Sequence, residues 1–138
     1  MPSENKRRAL GQHFLRDGAI ARAIVDLVAP TPADVVVGIG PGDGALTGIL
    51  AGHAGRVVAL EVDRALGAAL RARFPSVEVL DADARTWDYA GLTAPPGGRV
   101  LIVGNLPYSV GKRILSALVG AGGAIDEMAL VLQRGVAE

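Results

Sequence analysis

The segment that most constrains the fold is Asp34–Leu50, which reads DVVVGIGPGDGALTGIL. Its apolar run is interrupted by four glycines, at positions 38, 40, 42 and 44, before apolar residues resume at helical spacing. A short Val-rich run between Pro and Gly is typical of a strand buried on both faces of a sheet. The segment therefore predicts a strand, a glycine turn whose backbone can approach a ligand, and a helix.

Strands and helices alternate along the rest of the chain. Helices are predicted at Ala19–Val28, Ala45–Ala51, Arg64–Phe74 and Lys112–Val119, and strands at Asp34–Ile39, Arg56–Glu61, Val77–Leu80, Val100–Val103 and Met128–Leu132. Such alternation implies right-handed crossovers and a parallel sheet covered by helices on both faces. We therefore expect an α/β fold with a mostly parallel sheet, and 138 residues suit a single domain.

Composition excludes several kinds of site. The chain contains no cysteine, which rules out disulfides and thiolate metal sites. Its two histidines, His13 and His53, lack companion ligands at metal-binding spacing, so we expect no metal. No apolar run approaches the roughly 20 residues of a membrane span, and no signal peptide is evident. We therefore expect a cytoplasmic protein with no membrane partner.

Formal charge is zero, with 14 basic and 14 acidic residues, so the whole chain gives no argument for nucleic acid. Residues 1–25, however, carry five basic side chains against two acidic ones. A basic arm of this kind often contacts phosphate. A solvated tail that only maintains solubility would look the same, and the sequence leaves both interpretations open.

Polar residues follow the predicted strands where ligands bind in such sheets, beyond the carboxyl ends. Gly40, Gly42 and Ala45 satisfy the pattern G-x-G-x-x-A, and Glu61 lies about 20 residues downstream, where a ribose-binding acid is expected. The pattern indicates an adenosine, whether of NAD or of S-adenosylmethionine. Asp83, after the third strand, could accept a hydrogen bond from an adenine amine, although Asp81 or Asp83 could instead cap the next helix.

Asn105-Leu106-Pro107-Tyr108 follows the fourth strand. Pro107 fixes its own φ and favours extended geometry at Leu106, so the tetrapeptide can present the Asn105 amide oxygen, a backbone carbonyl and an aromatic face to one space. Two acceptors and a stacking ring suit a flipped-out base that carries an amine. The alternative is a turn at the end of the strand, with Tyr108 covering the core.

Taken in order, six segments resemble the motifs of the rRNA adenine dimethyltransferases. They are LGQHFL (10–15), GIGPGDGALT (38–47), ALEVD (59–63), DADA (81–84), GNLPYSV (104–110) and LQRGVAE (132–138). The resemblance is strongest to the KsgA type, which acts on small-subunit rRNA, with the Erm macrolide-resistance enzymes as a neighbouring branch. It covers nearly the whole chain, and GQHFL together with NLPY is far more specific than the glycine turn.

This resemblance implies a class I, Rossmann-like methyltransferase core that moves methyl groups from S-adenosylmethionine to adenine amines of rRNA within a ribosomal particle. By position, the cofactor residues would be His13 and Leu15 at the methionine end, Gly40 and Gly42 at the backbone approach, Glu61 at the ribose, and Asp83 at the adenine. Asn105 would lie between cofactor and target, and Leu106, Pro107 and Tyr108 would complete the catalytic motif.

Three features depart from the family pattern. Gly38 and Gly135 stand where the family usually has an acid, and loss of the first should weaken cofactor binding or orientation. Family members also continue beyond Glu138 through two more strands and a helical RNA-contacting domain. We therefore expect residues 1–32 to form a basic arm and first helix, and residues 33–138 a core that lacks the last strands, so that this piece alone would be weakly active or inactive.

Three other functions remain open at this stage. An Erm-type enzyme would modify large-subunit rRNA instead. A non-catalytic ribosome-assembly factor would keep the fold without turnover, and Gly38 is the feature that allows it. An NAD-dependent dehydrogenase would account for the glycine pattern and Glu61 but gives the NLPY segment no role.

Overall fold

A computed structural model of the chain describes residues 18–40 and 44–133. Its helices are α1 (residues 18–28), α2 (Ala45–Ala51), α3 (Arg64–Arg73) and α4 (Tyr108–Ala121), with short 3₁₀ turns at Tyr89–Gly91 and Gly122–Ala124. Its strands are β1 (Val35–Ile39), β2 (Arg56–Leu60), β3 (Glu78–Leu80), β4 (Val100–Pro107) and β5 (Glu127–Gln133). The predicted alternation of strands and helices is therefore confirmed.

The five strands form one parallel sheet in the order β3-β2-β1-β4-β5. Strand β1 lies at the centre, where Val36 is in register with Val57 of β2 on one side and with Leu101 of β4 on the other. The strand order reverses beside β1, because β2 and β4 flank it. In sheets of this type ligands bind at such a reversal, outside the carboxyl ends of the strands.

Alternate residues of the strands face two separate apolar layers. One layer buries the inner faces of α1, α2 and α3 against the sheet, as shown by Ile24, Leu50, Leu70, Val36 and Leu101. The other layer lies under α4 and the segment that follows β3, and includes Val37, Ile102, Ile114, Leu118 and Tyr89. Since both faces are covered, the strands read as continuous apolar runs, which is the sequence signal of a parallel sheet.

Strand β4 and helix α4 differ from the sequence expectation. The predicted strand ends at Val103, but β4 continues to Pro107 because β5 pairs with it as far as the register Pro107↔Gln133. The predicted helix begins at Lys112, whereas α4 begins at Tyr108 with Pro107 as its N-cap residue. Pro107 lacks an N–H, so it suits the last position of a strand and the entry to a helix.

A buried ion pair closes the amino-terminal edge of the sheet. Asp34, only 1% exposed, accepts hydrogen bonds from the backbone N–H of Arg99 at 2.8 Å and from Arg99 Nη2 at 2.9 Å. The same guanidinium donates to the carbonyls of Val28 and Ala29 at the end of α1, and to Glu127 at the start of β5. Hydrogen bonding by Arg99 lowers the pKa of Asp34 to about 2. This network joins four elements at the edge opposite the glycine turn.

Candidate functional site

A cavity of about 260 Å³ opens at the carboxyl ends of β1, β2 and β4. Its volume is close to the lower end of the range for small-molecule pockets, roughly 300–1,000 Å³. Among the described residues, three charged ones line it: Glu61, Asp83 and Arg85. Its apolar walls are formed by Ile39, Leu60, Val62, Leu106, Val110 and Ile114. A few polar groups in apolar walls are characteristic of a small-molecule site.

The backbone of Gly40 forms part of the wall of this cavity. Its φ is +59°, a conformation that favours glycine, and a Cβ atom placed there would lie 3.0 Å from Leu106 Cδ2. A side chain at this position would therefore be strained and would crowd Leu106. The neighbouring Gly42 lies outside the described residues.

Glu61 follows β2 directly and is 7% exposed. One of its carboxylate oxygens, Oε2, accepts the backbone N–H of Asp63 at 3.0 Å. Asp63 in turn caps α3, accepting the N–H groups of Ala65 and Leu66. The capped helix start therefore fixes the turn that carries Glu61, so this carboxylate has a defined position in the cavity wall.

Asp83 forms a tight local contact with Arg85. Its Oδ1 accepts the Arg85 backbone N–H at 2.9 Å, and its two carboxylate oxygens accept Nε and Nη2 of the same residue. These hydrogen bonds, the side-chain ones foremost, lower the pKa of Asp83 to about 2. Asp83 thus stabilises a turn rather than capping a regular helix, and it lines the cavity as a carboxylate. Asp81 instead pairs with Arg71.

Sequence reasoning missed Arg85, which lines the cavity, and Tyr89, a buried residue that does not line it. The Tyr89 hydroxyl donates to the carbonyl of Ala84 at 2.7 Å, its ring packs edge-on against Trp87, and burial raises its pKa. This buried contact holds the segment after Asp83 against the sheet. The only sequence signal was an isolated Trp-Asp-Tyr after the third strand, which carries no motif.

Asn105 and Leu106 lie in the last part of β4. Leu106 is buried and lines the cavity, while Asn105, one residue earlier, is in register with Val131 of β5. The Asn105 Oδ1 atom is buried and has no hydrogen-bond partner among the described residues. Buried polar atoms are nearly always paired in native proteins, so this acceptor is available to a ligand.

Tyr108 does not cover the core. Its side chain is 44% exposed at the first turn of α4, and the Lys112 ammonium lies 5.6 Å from the ring centroid. Pro107 is also exposed. An exposed ring next to a cation, two residues before the cavity residue Val110, is accessible for stacking with a base.

The structure thus brings Gly40, Glu61, Asp83 and Leu106 into one wall, and leaves Asn105 and Tyr108 beside it rather than among the lining residues. His13 and Leu15 lie outside the described residues, as does Gly135. Between residues 18 and 40 and between 44 and 133, no group of His, Asp or Glu could hold a metal ion. Across those same ranges, no helix has the length and apolar character that crossing a bilayer requires.

Comparison with known proteins gives this cavity a family context. A model of the family "Ribosomal RNA adenine dimethylase" matches residues 3–138. The chain belongs to the ribosomal RNA adenine dimethylase family. It is 40% identical over 132 residues to the ribosomal RNA small subunit methyltransferase A of Methylibium petroleiphilum, a match that covers 96% of this chain and 51% of that protein. The chain therefore spans about half the length of this family relative.

Solved structures agree with the family assignment. The 23S rRNA methyltransferase ErmE is 32% identical, with a TM-score of 0.65, over 81% of this chain and 45% of ErmE. An RNA methyltransferase from Salinibacter ruber, solved with S-adenosyl-L-homocysteine, has a TM-score of 0.61 at 20% identity over 80% of this chain and 69% of that one, which supports the fold alone. These likenesses confirm the predicted class I methyltransferase fold.

Proposed function

We propose that the protein transfers methyl groups from S-adenosylmethionine to the exocyclic amine of adenines in small-subunit rRNA, and that it acts in the cytoplasm. The observation that carries the proposal is the buried Asn105 Oδ1, which has no hydrogen-bond partner in residues 18–40 and 44–133, next to a cavity lined by Gly40, Glu61 and Asp83. The small-subunit rRNA methyltransferase A of Methylibium petroleiphilum, 40% identical to this chain, supports the substrate class.

The lining residues fit S-adenosylmethionine. Glu61, nearly buried, can accept hydrogen bonds from ribose hydroxyls, and Asp83 can accept one from the adenine amine. The apolar walls provide contact for the purine ring, and Gly40 leaves room for backbone to approach. His13, Leu15 and Gly42 are proposed on sequence alone as contacts near the methionine end. The Salinibacter ruber neighbour, solved with S-adenosyl-L-homocysteine, is consistent with this ligand.

In this proposal the protein catalyses methyl transfer mainly by positioning the adenine amine. When bound, S-adenosylmethionine would supply an electrophilic methyl group, whose bond to sulfur would break as the adenine nitrogen forms the new bond. Asn105 Oδ1 accepts one amine hydrogen and so directs the nitrogen lone pair. The cationic product amine then releases its proton readily, and no strong base is required. Leu106 and Pro107 keep Asn105 in extended strand geometry at the edge of the cavity.

Tyr108 would hold the target base. Its exposed ring can stack on an adenine that has left its helix, as aromatic side chains commonly do in RNA recognition. Lys112, which lies over the same ring, places a positive charge where the RNA backbone would pass.

A large-subunit substrate is the second candidate, because the structural neighbour ErmE is a 23S rRNA methyltransferase at 32% identity. Transfer of labelled methyl groups to small-subunit particles and to large-subunit rRNA, offered separately, distinguishes the two. We expect label in small-subunit adenines. Label confined to large-subunit rRNA would reverse the assignment of substrate.

The direct test of the site is Asn105→Ala. Because Asn105 orients the reacting nitrogen, the change should lower the methyl-transfer rate of a longer polypeptide that contains this chain by about 100-fold. S-adenosylhomocysteine affinity, measured by isothermal titration, should change much less. Glu61→Gln is the matched comparison and should weaken cofactor affinity instead. If the unsubstituted chain binds neither S-adenosylmethionine nor S-adenosylhomocysteine at millimolar concentration, the proposed function is wrong.

Gly38 allows a non-catalytic alternative, since this position lacks the acid expected from the family resemblance. Gly38→Glu, in this chain or a longer polypeptide containing it, tests that alternative. A gain in methyl transfer would support the enzyme, whereas absence of transfer both before and after the change would favour an RNA-binding assembly factor.

A further inference from the structure

Arg85 lines the same cavity as Glu61 and Asp83, and the function proposed above gives it no role. Its guanidinium contacts both oxygens of the Asp83 carboxylate: Nε lies 3.0 Å from Oδ1 and 3.1 Å from Oδ2, and Nη2 lies 2.7 Å from Oδ2. Because the two residues are separated by one position, this fork is built within a single turn. The short turn fixes the direction of the carboxylate more tightly than a distant partner would.

The hydrogen bonds leave Asp83 with a limited acceptor capacity. An ionised carboxylate offers about four acceptor positions. Oδ1 accepts the Arg85 backbone N–H, and Oδ2 accepts Nη2–H. The Nε–H of Arg85 is shared between the two oxygens. Three N–H groups therefore use about three of these positions. A ligand that meets this carboxylate has about one acceptor position available.

We infer that Arg85 is a positioning residue that makes the cavity selective for a purine bearing a 6-amino group, by holding the Asp83 carboxylate in place with about one acceptor position left for that amine. This inference rests on the proposed function, since it concerns the same cofactor site. It assigns the selectivity to the pair of residues rather than to Asp83 alone.

The selectivity follows from whether the purine presents a hydrogen-bond donor or an acceptor to the carboxylate. A 6-amino purine presents an N–H donor to the remaining acceptor position of Asp83, whereas a 6-oxo purine presents an oxygen acceptor, which the carboxylate repels. A carboxylate free to rotate could turn away from the oxygen at little cost. Held by Arg85, it cannot, so the wrong base leaves two acceptors facing each other and unpaired, and sites of this kind discriminate strongly.

Lysine should replace arginine only in part. A lysine ammonium can keep a positive charge near Asp83, but it is a point charge on a flexible stem and lacks the planar fork that contacts both oxygens. Glutamine removes the charge as well as the fork. Comparing Arg, Lys and Gln at position 85 therefore separates the effect of orienting the Asp83 carboxylate from the effect of the positive charge.

The test compares two ligands, S-adenosyl-L-homocysteine and its deaminated 6-oxo analogue S-inosyl-L-homocysteine, by isothermal titration at neutral pH. We expect the unsubstituted chain to prefer the amino ligand by about 10- to 100-fold, the range of one hydrogen bond to a charged group. Arg85→Gln should reduce that preference to less than about 3-fold, and Arg85→Lys should restore part of it. In the Asp83→Asn background, Arg85→Gln should cause no further change in the preference, because the two residues act as one unit.

Arg71→Gln is the matched control. Arg71 also pairs with an aspartate, Asp81, and these side chains are 45% and 46% exposed, much like the 43% of Arg85. Arg71 and Asp81 do not line the cavity, so the ligand preference should stay unchanged. Thermal unfolding of each variant verifies that it is folded.

Several results would overturn the inference while leaving the proposed function intact. One is a wild-type preference that survives Arg85→Gln. Another is tighter S-adenosyl-L-homocysteine binding by that variant, which would mean that Arg85 competes with the ligand for Asp83. Additive effects of Asp83→Asn and Arg85→Gln would also overturn it. Failure of the unsubstituted chain to bind either ligand would overturn the proposed function and, with it, this inference.

Discussion

At the scale of single residues, two glycines of one motif differ in whether the structure could accept a side chain in their place. Gly38 lies inside β1, and a Cβ atom there would lie 3.6 Å from Leu50 Cδ1, an ordinary contact. Gly40, two residues later, has a positive φ and a Cβ position 3.0 Å from Leu106. Gly40 is therefore needed for backbone geometry, whereas the backbone at Gly38 accepts a side chain.

We predict opposite effects for the two alanine substitutions. Gly38→Ala should stabilise the fold by about 0.5–1 kcal/mol, because alanine lowers the entropy of the unfolded chain and meets no clash. Gly40→Ala should destabilise it by about 1–3 kcal/mol and weaken S-adenosylhomocysteine binding, because the left-handed backbone becomes strained. Urea unfolding measures both free energies. Stabilisation by both changes would contradict the argument for Gly40.

At the scale of secondary-structure elements, α4 connects the cavity to β5. Ile114 and Leu118 bury its inner face, and Val110 and Ile114 reach the cavity wall. At Gly111 the helix approaches β5 so closely that an added Cβ would clash with the side chain of Leu132. The absence of a side chain at Gly111 therefore sets the distance between α4 and the sheet.

Two glycines of this helix provide a controlled comparison. Gly120→Ala has open space around its Cβ and should stabilise the protein by about 0.5–1 kcal/mol through helix propensity. Gly111→Ala gains the same propensity but forces Leu132 to move, so we expect it to be at least 1 kcal/mol less stable than Gly120→Ala. Denaturant unfolding gives both values. Equal stabilities would mean that Leu132 adjusts freely.

The elements also indicate what the sequence could and could not predict. The central strand, the positive φ of Gly40 after it and the place of Glu61 were predictable because periodicity and motif agree locally. The true lengths of β4 and α4 were not, because residues 105–107 are extended through pairing with β5, a contact distant in sequence, and α4 begins directly after them. Arg85 was missed for a different reason: its role depends on a side-chain direction, which periodicity does not encode.

At the scale of the whole molecule, the carboxyl and amino ends of the strands have separate roles. The cavity lies at the carboxyl ends of the strands, as does the Asn105 oxygen, which has no partner within the described part of the chain and which we propose to meet a ligand. The opposite edge is closed by Asp34, which accepts from Thr31 as well as Arg99, and by the Arg99 contacts to α1 and β5. Stability should therefore depend on Asp34 far more than ligand affinity does.

The pH dependence of unfolding tests this division. Because the pKa of Asp34 is lowered from 3.8 to about 2 in the folded protein, its contribution is fully present above pH 4 and is lost as pH falls from about 4 to about 2. The loss should reach about 1–2 kcal/mol. It appears as a shrinking difference in unfolding free energy between the unsubstituted chain and Asp34→Asn, measured from pH 7 to pH 2.5. Asp81→Asn, in an exposed ion pair, should show only a small difference throughout. If the Asp34 difference stays constant over this range, the ion pair with Arg99 does not hold that carboxylate ionised, and the amino-terminal edge must be stabilised in another way.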